Sequence, residues 1–172
     1  QRFEFLEAEQ CCNKMSDEMN VIKPIKLQHE ELSEFYSDYL INGRKHDGWT
    51  IEIVQIENAC LRSRIRMNSV YLSSTDKNQF HLTIFSALEF LSQLMIIYTH
   101  VWAGLTKKTQ EGWMVDSQIR AVKAIRNPNA IEVEMQMGRI RKLGTKLVCM
   151  TEYVITDDGG GRFEGSFRGF LS

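Results

Sequence analysis

Between residues 82 and 105 the chain reads LTIFSALEFLSQLMIIYTHVWAGL, apolar on nearly every side. Thr83 or Ser86 stands at its head as an N-cap and Gly104 at its end as a stop. The pattern predicts a helix from about Ile84 to Ala103, roughly 30 Å long at about 1.5 Å per residue. Such a length suits a bilayer, but Glu89, Gln93 and His100 interrupt the run and no basic flank follows. In a soluble chain, a helix apolar all round is the central buried helix of a core, so no membrane span is expected.

On either side of this helix the period changes to two. WTIEIVQIE from Trp49 and CLRSRIRMNSVYL from Cys60 alternate as two strands, through Ile51, Ile53, Leu61, Ile65, Met67 and Val70. Four more strands are predicted at 113–125, 130–143, 145–156 and 162–171, and the second alternates cleanly through Ile131, Val133, Met135 and Met137. Asn127-Pro128-Asn129, Leu143-Gly144 and the run from Asp157 to Gly161 supply the turns. Toward the N-terminus, residues 3–20 and about Leu27 to Ile41 carry helical stripes, separated by Pro24, and Asn42-Gly43 closes the second. The order is two helices, two strands, one long apolar helix and four strands. It predicts an α+β domain with an antiparallel sheet, one domain over 1–172, with an N-terminal helical extension at 1–45 and a core at 49–171.

Composition narrows the function classes. The 172 residues are 43% hydrophobic and 25% charged, with 21 Lys+Arg against 22 Asp+Glu and a net charge of −1. Broad electrostatic binding to nucleic acid needs clustered positive charge, which this balance does not provide. Cys11, Cys12, Cys60 and Cys149 have no CxxC spacing, so buried, reduced thiols are expected, with neither a metal nor a cofactor. The opening QRFEFLEAEQ lacks a basic segment followed by a long apolar one, and a reducing cytoplasm is the expected setting.

Chemistry concentrates on the long helix. Glu89 and Gln93 stand four residues apart and share one face. A carboxyl in apolar surroundings has its pKa raised, which suits proton exchange near neutral pH. The first-turn amides, Ile84 to Ala87, lack helical partners and sit at the positive end of the helix dipole, where they suit a developing oxyanion. Met95, Met114, Met135, Met137 and Met150 either line an acyl tunnel or fill the core. Arg139, Arg141, Lys142 and Lys146 cluster near a turn, where a solvated charged rim is the first expectation and phosphates or an acidic carrier surface the alternative. His100, near the helix C-terminus where a cation suits the dipole, is expected to be structural, while His29 and His46 have no ligand company and are expected in solvent.

A curled sheet round one apolar helix resembles the hot-dog fold over residues 49–171. That resemblance implies action on acyl thioesters of coenzyme A or acyl carrier protein, in a homodimer or dimer of dimers. LEFLSQLMIIY (Leu88–Tyr98) is similar to the central helix of 3-hydroxyacyl-ACP dehydratases, with Glu89 at the acid and Gln93 four residues on. Those enzymes carry a histidine 14 residues before the acid, where this chain has Thr75, and a Pro-Gly that is absent here. YLSST (Tyr71–Thr75), His81, Gln93-Leu94 and Tyr98 resemble FcoT-like acyl-CoA thioesterases, with a longer loop between Thr75 and His81. The family's two helix asparagines fall on Thr83 and Ser92. Together the resemblances imply Glu89, Tyr71 and His81 as catalytic residues, with Thr83, Ser86, Ser92 and Gln93 binding substrate. The implied activity is hydrolysis of a fatty or polyketide acyl thioester; the alternatives are 3-hydroxyacyl-ACP dehydration or isomerisation, and non-catalytic acyl-thioester binding.

Overall fold

The computed structural model describes residues 47–172 apart from 71, 73, 106 and 139, and the side chain of Thr75. The chain divides into two compact units, Gln1–Tyr36 and Ser37–Ser172, and every described residue lies in the second. The two helices expected at 1–45, with Cys11, Cys12, His29 and His46, fall outside the described residues.

Strands β1 (Gly48–Glu57) and β2 (Cys60–Ser69) form a hairpin, followed by a single 3₁₀ turn at Ser74–Asp76 and the helix α1 (Ile84–Trp102). Then come β3 (Gly112–Lys123), β4 (Ile131–Met137), the short β5 (Arg141–Leu143), β6 (Lys146–Asp157) and β7 (Arg162–Leu171). All pairings are antiparallel, in the order β1-β2-β4-β6-β7-β3, with β5 joining β6 beyond the end of β4. The crossover through α1 carries the chain from one side of the sheet to its far edge, and β4 returns beside β2. An antiparallel sheet in this order over a single helix is the hot-dog arrangement.

Alternation explains why these segments pair as they do. Leu61, Ile65 and Met67 of β2, Ile131, Val133, Met135 and Met137 of β4, and Tyr153 and Ile155 of β6 are all buried. They face Phe90, Leu91, Leu94, Met95 and Tyr98 of α1, which are buried too. Each large apolar side chain buried in this way contributes about 1.5–3 kcal/mol. The intervening residues form an outer face of ion pairs, Arg62 with Glu134, Arg64 with Glu132 and Arg66 with Glu52, all exposed to water and each of small energetic weight.

Three expectations change. The strand expected at 130–143 is two strands: Gly138 breaks it, since a Cβ there would meet the Met150 carbonyl oxygen at 2.9 Å, while its N–H donates to that oxygen. The helix is covered on one side only. By length and composition alone it is able to cross a membrane, but half of it is buried in this fold, while Phe85, Val101 and Trp102 are 46%, 52% and 52% exposed. Met150 is exposed on the outer face, so it lines no tunnel, whereas Met95, Met135 and Met137 belong to the core.

The Asp157-to-Gly161 turn closes the β6–β7 hairpin, as expected, and also does something the sequence did not announce. The buried Asp157 carboxylate accepts from the backbone N–H groups of Arg126 (2.7 Å), Asn127 (3.0 Å) and Gly161 (2.7 Å), tying this hairpin to the β3–β4 connection. Burial alone would raise its pKa, but the backbone donors of Asn127, Arg126, Gly161 and Gly159 outweigh burial and hold it below the ordinary value. A depressed carboxyl contributes stability above its unfolded pKa, about 3.9, and loses it as the pH falls through the folded value. Urea midpoints should therefore drop on acidification below about pH 4, and less steeply in Asp157→Asn. Asp157→Ala, which leaves three buried donors without their acceptor, should cost about 3 kcal/mol at neutral pH.

Candidate functional site

Thr83 is the N-cap of α1: its extended backbone ends the preceding loop and its Oγ1 accepts from the Ser86 N–H at 3.1 Å. The Ser86 hydroxyl, fully buried, lies 3.0 Å from Thr83 Oγ1 and donates to Asp47 Oδ2 at 2.8 Å. The Ala87 N–H donates to the Thr83 carbonyl at 3.1 Å. Two of the four first-turn amides expected to meet an oxyanion are thus already used, those of Ser86 and Ala87. The capping network fixes where the helix starts, and with it every side chain further along.

Glu89 follows six residues after the cap, roughly 9 Å along the axis. It is half-buried, and its Oε2 accepts from the indole Nε1 of Trp49 at 3.2 Å. The Trp49 ring also meets Phe90 edge to face, with centroids 6.1 Å apart at 81°. One aromatic side chain at the start of β1 therefore orients the carboxylate and packs against its helical neighbour. Trp49 was not among the expected site residues. Its signal was a tryptophan at a strand start, whose N–H seeks a partner when partly buried.

His81 stands two residues before the cap. Its Nδ1 lies 2.8 Å from Asp76 Oδ2, and the same carboxylate accepts a two-pronged contact from Arg126, at 2.6 and 3.1 Å. The Arg126 guanidinium also donates to the Phe80 carbonyl at 3.2 Å. The hydrogen bond from Arg126 holds the Asp76 pKa below the ordinary carboxylate value against the cost of desolvation, and the His81 contact adds a lesser push in the same direction. Since Asp76 is a carboxylate, Nδ1 is the donor and carries the ring proton. Leu82 N–H donates to the Ile125 carbonyl at 3.0 Å, so the loop leading into α1 is fastened to the β3–β4 connection at backbone and side chain alike.

The remaining expected residues are distributed along the helix. The Ser92 hydroxyl donates back to the Leu88 carbonyl at 2.7 Å. Gln93 lines a small cavity of about 170 Å³ with Ile96, Ile97, His100 and Leu105. Tyr71 and Arg139 lie outside the described residues. His100 has a structural place: it is buried, its Nδ1 lies 2.8 Å from the Ile96 carbonyl, and its Nε2 accepts from the Thr109 N–H at 3.3 Å. A ring that donates at one nitrogen and accepts at the other is neutral. Its role is to fasten the segment between α1 and β3.

A concavity of about 820 Å³ lies elsewhere, on the outer face of the sheet between Arg120, Glu134, Gln136, Glu152 and Ser166. It is open, and Arg120 and Glu134 are engaged in ion pairs with Glu164 and Arg62. The buried Tyr153 beside it spends its hydroxyl on the Gln118 carbonyl at 3.0 Å, and burial pushes its pKa up. Among the described residues, no cluster of three or more His, Cys, Asp or Glu suits a metal ion, and Cys60 and Cys149 are both free thiols.

No protein-family model matches the chain, and no curated protein is significantly similar to it. Among solved structures, the chain is similar to a hypothetical thioesterase from Streptococcus pneumoniae TIGR4, crystallised with coenzyme A. The TM-score is 0.46 and the identity 15%, over 73% of this chain and 86% of that one. A provisionally named thioesterase from Lactococcus lactis, yhdA, aligns with a TM-score of 0.47 and 12% identity, over 72% of this chain and 91% of that one.

Proposed function

We propose that this chain hydrolyses an acyl thioester, carried by coenzyme A or by an acyl carrier protein, in the cytoplasm. The observation that carries the reading is the Glu89 carboxylate, placed in the second turn of an otherwise apolar core helix and oriented by the Trp49 indole. Glutamates are seldom set among apolar residues without a task. In this reading Glu89 takes a proton from a water, whose oxygen bonds to the thioester carbonyl carbon. Collapse of the tetrahedral intermediate breaks the C–S bond and releases acid and thiol. The Ile84 N–H, which precedes any helical acceptor, and Tyr71 are the proposed oxyanion donors.

The reading includes a homodimer. Among the described residues β3 pairs with β7 alone and leaves its other edge open, and an open edge is a template for a second strand. Trp113, Val115 and Val122 on this strand are 57%, 52% and 51% exposed. Val115 and Val122 are the residues skipped at its two irregularities, and the regular run between them is free to pair with its copy. Light scattering at micromolar concentration should return twice the 20.0 kDa chain mass. Val115→Lys together with Val122→Lys should shift the mass toward one chain; an unchanged dimer would place the interface elsewhere.

Free thiol released from a panel of acyl-CoAs, read with a chromogenic disulfide, tests the activity. No thiol from any chain length, combined with the absorbance of a conjugated enoyl thioester from a 3-hydroxyacyl carrier protein, would favour dehydration. Binding without either product would leave an acyl-binding module.

A further inference from the structure

Beyond Gln93 the half-buried side of α1 runs into the cavity of about 170 Å³, whose apolar lining is Ile96, Ile97, Val101 and Leu105. One wall is the helix and the other is the segment that follows it. His100 fastens that segment twice: its carbonyl accepts from the Leu105 N–H at 2.9 Å, and its Nε2 from the Thr109 N–H at 3.3 Å. Lys107 and Lys108 complete the lining and are both exposed, so they stand at the mouth. Lys108 is engaged with Glu111 at 2.6 Å, while Lys107 has no hydrogen-bond or ion-pair partner among the described residues. An apolar cavity of about 150 Å³ takes up a benzene-sized group. This one therefore has room for the last several carbons of a chain, with an uncommitted cation beside it.

Glu89, Gln93, Ile96 and His100 recur at spacings of four, three and four residues and share one stripe of α1. The stripe leads from the Glu89 carboxylate to the cavity, a climb of roughly 16 Å from residue 89 to residue 100 at about 1.5 Å per residue. We propose that the stripe and the cavity bind the acyl chain of the substrate, and that Lys107 selects a chain whose far end carries a carboxylate. The inference rests on the thioesterase reading and adds to it the substrate class, a thioester of a medium-length dicarboxylic acid.

The lining distinguishes an acyl chain from the pantetheine arm of the carrier. That arm carries amides, which need polar partners once buried. Past Gln93 the cavity offers them alkyl side chains, and both ring nitrogens of His100 are already taken, by the Ile96 carbonyl and the Thr109 N–H. An alkyl spacer has no such need. A carboxylate at its end reaches the mouth and meets the Lys107 ammonium there, in a pair of modest, salt-sensitive strength.

Paired coenzyme A thioesters of equal chain length, one ending in a methyl group and the other in a carboxylate, test the assignment over a series of lengths. With the full-length chain at low ionic strength, kcat/KM should favour the carboxylate-ended member by about 5-fold at the best length, the upper range for an exposed ion pair. Salt at about 1 M should abolish the preference. Lys107→Met should bring the ratio to about one and Lys107→Glu should invert it, whereas Lys107→Arg should keep it; thermal melts certify that each variant is folded. A wild type that cleaves both members without preferring the carboxylate overturns the inference and leaves the hydrolase reading standing. So does a loss in Lys107→Met that falls equally on both members, which would put the phosphate of the carrier at this lysine instead. Cleavage of other acyl thioesters but of neither member of any pair also ends it. If no acyl thioester of any kind is cleaved, the hydrolase reading itself is wrong and the inference falls with it.

Discussion

Glu89→Gln should be folded, of unchanged oligomeric mass, and slower in turnover by about 10²–10⁴-fold, with little change in substrate binding. The amide keeps the length of the side chain and an oxygen able to accept the Trp49 indole N–H, so the contact that orients residue 89 survives. What the amide lacks is the capacity to take a proton from water. A structural glutamate would give the opposite outcome, since a neutral amide in a half-buried position is less costly than a carboxylate. Trp49→Phe is the companion variant. It retains the edge-to-face packing on Phe90 but removes the N–H, and a loss of about 10-fold in turnover is expected from a carboxylate that loses this one contact. Equal turnover of Glu89→Gln and the wild type would remove Glu89 from the chemistry.

A single methyl group, in Gly165→Ala, should cost as much stability as the loss of the Asp157 carboxylate. Gly165 pairs with Ile119 across the β7–β3 ladder, close to the Gln118 carbonyl and beside Tyr153 of β6, whose hydroxyl donates to that carbonyl at 3.0 Å. A Cβ at 165 would overlap that carbonyl oxygen and lie 2.7 Å from the Tyr153 hydroxyl. The first obstacle is backbone and does not rotate away, so β3 must separate from β7. Overpacking of this kind costs about 3 kcal/mol, or a fall in Tm of roughly 10 °C for a domain of this size. Because β3 has no other partner strand among the described residues, the variant should also lose the proposed dimer. Thermal melts and light scattering on one sample check both. A wild-type melting temperature in Gly165→Ala would mean that the β3–β7 pairing yields more easily than this register allows.

Local pattern carried most of the fold. The helix was expected over 84–103 and spans Ile84–Trp102, because Thr83 and Gly104 announce its ends within the sequence itself. Ile131 to Met137 alternates visibly and is buried at every second residue. The failures concern contacts made across the fold. Trp49 and Glu89 are 40 residues apart, and Arg126 and Asp76 are 50 apart, so no periodicity or spacing links them. Asp157 read as one more turn residue, yet its buried carboxylate gathers backbone donors from a different connection. His100 is structural, as its place on the helix suggests, but the partner it fastens, the Thr109 N–H, arrives from the following loop. Such groups are identifiable only when the partner that folding brings to them is known.

Hydrolysis in ¹⁸O-labelled water, with enzyme in excess so that each site turns over once, tests the account most directly. Water activated by Glu89 places one ¹⁸O in the released carboxylic acid and none in the protein, read by mass spectrometry of the acid and of the peptide containing residue 89. Label in the Glu89 carboxylate would mean that it attacks the thioester itself and water opens the resulting anhydride. Release of no acid at all, from any acyl thioester tried, would contradict the account at its root.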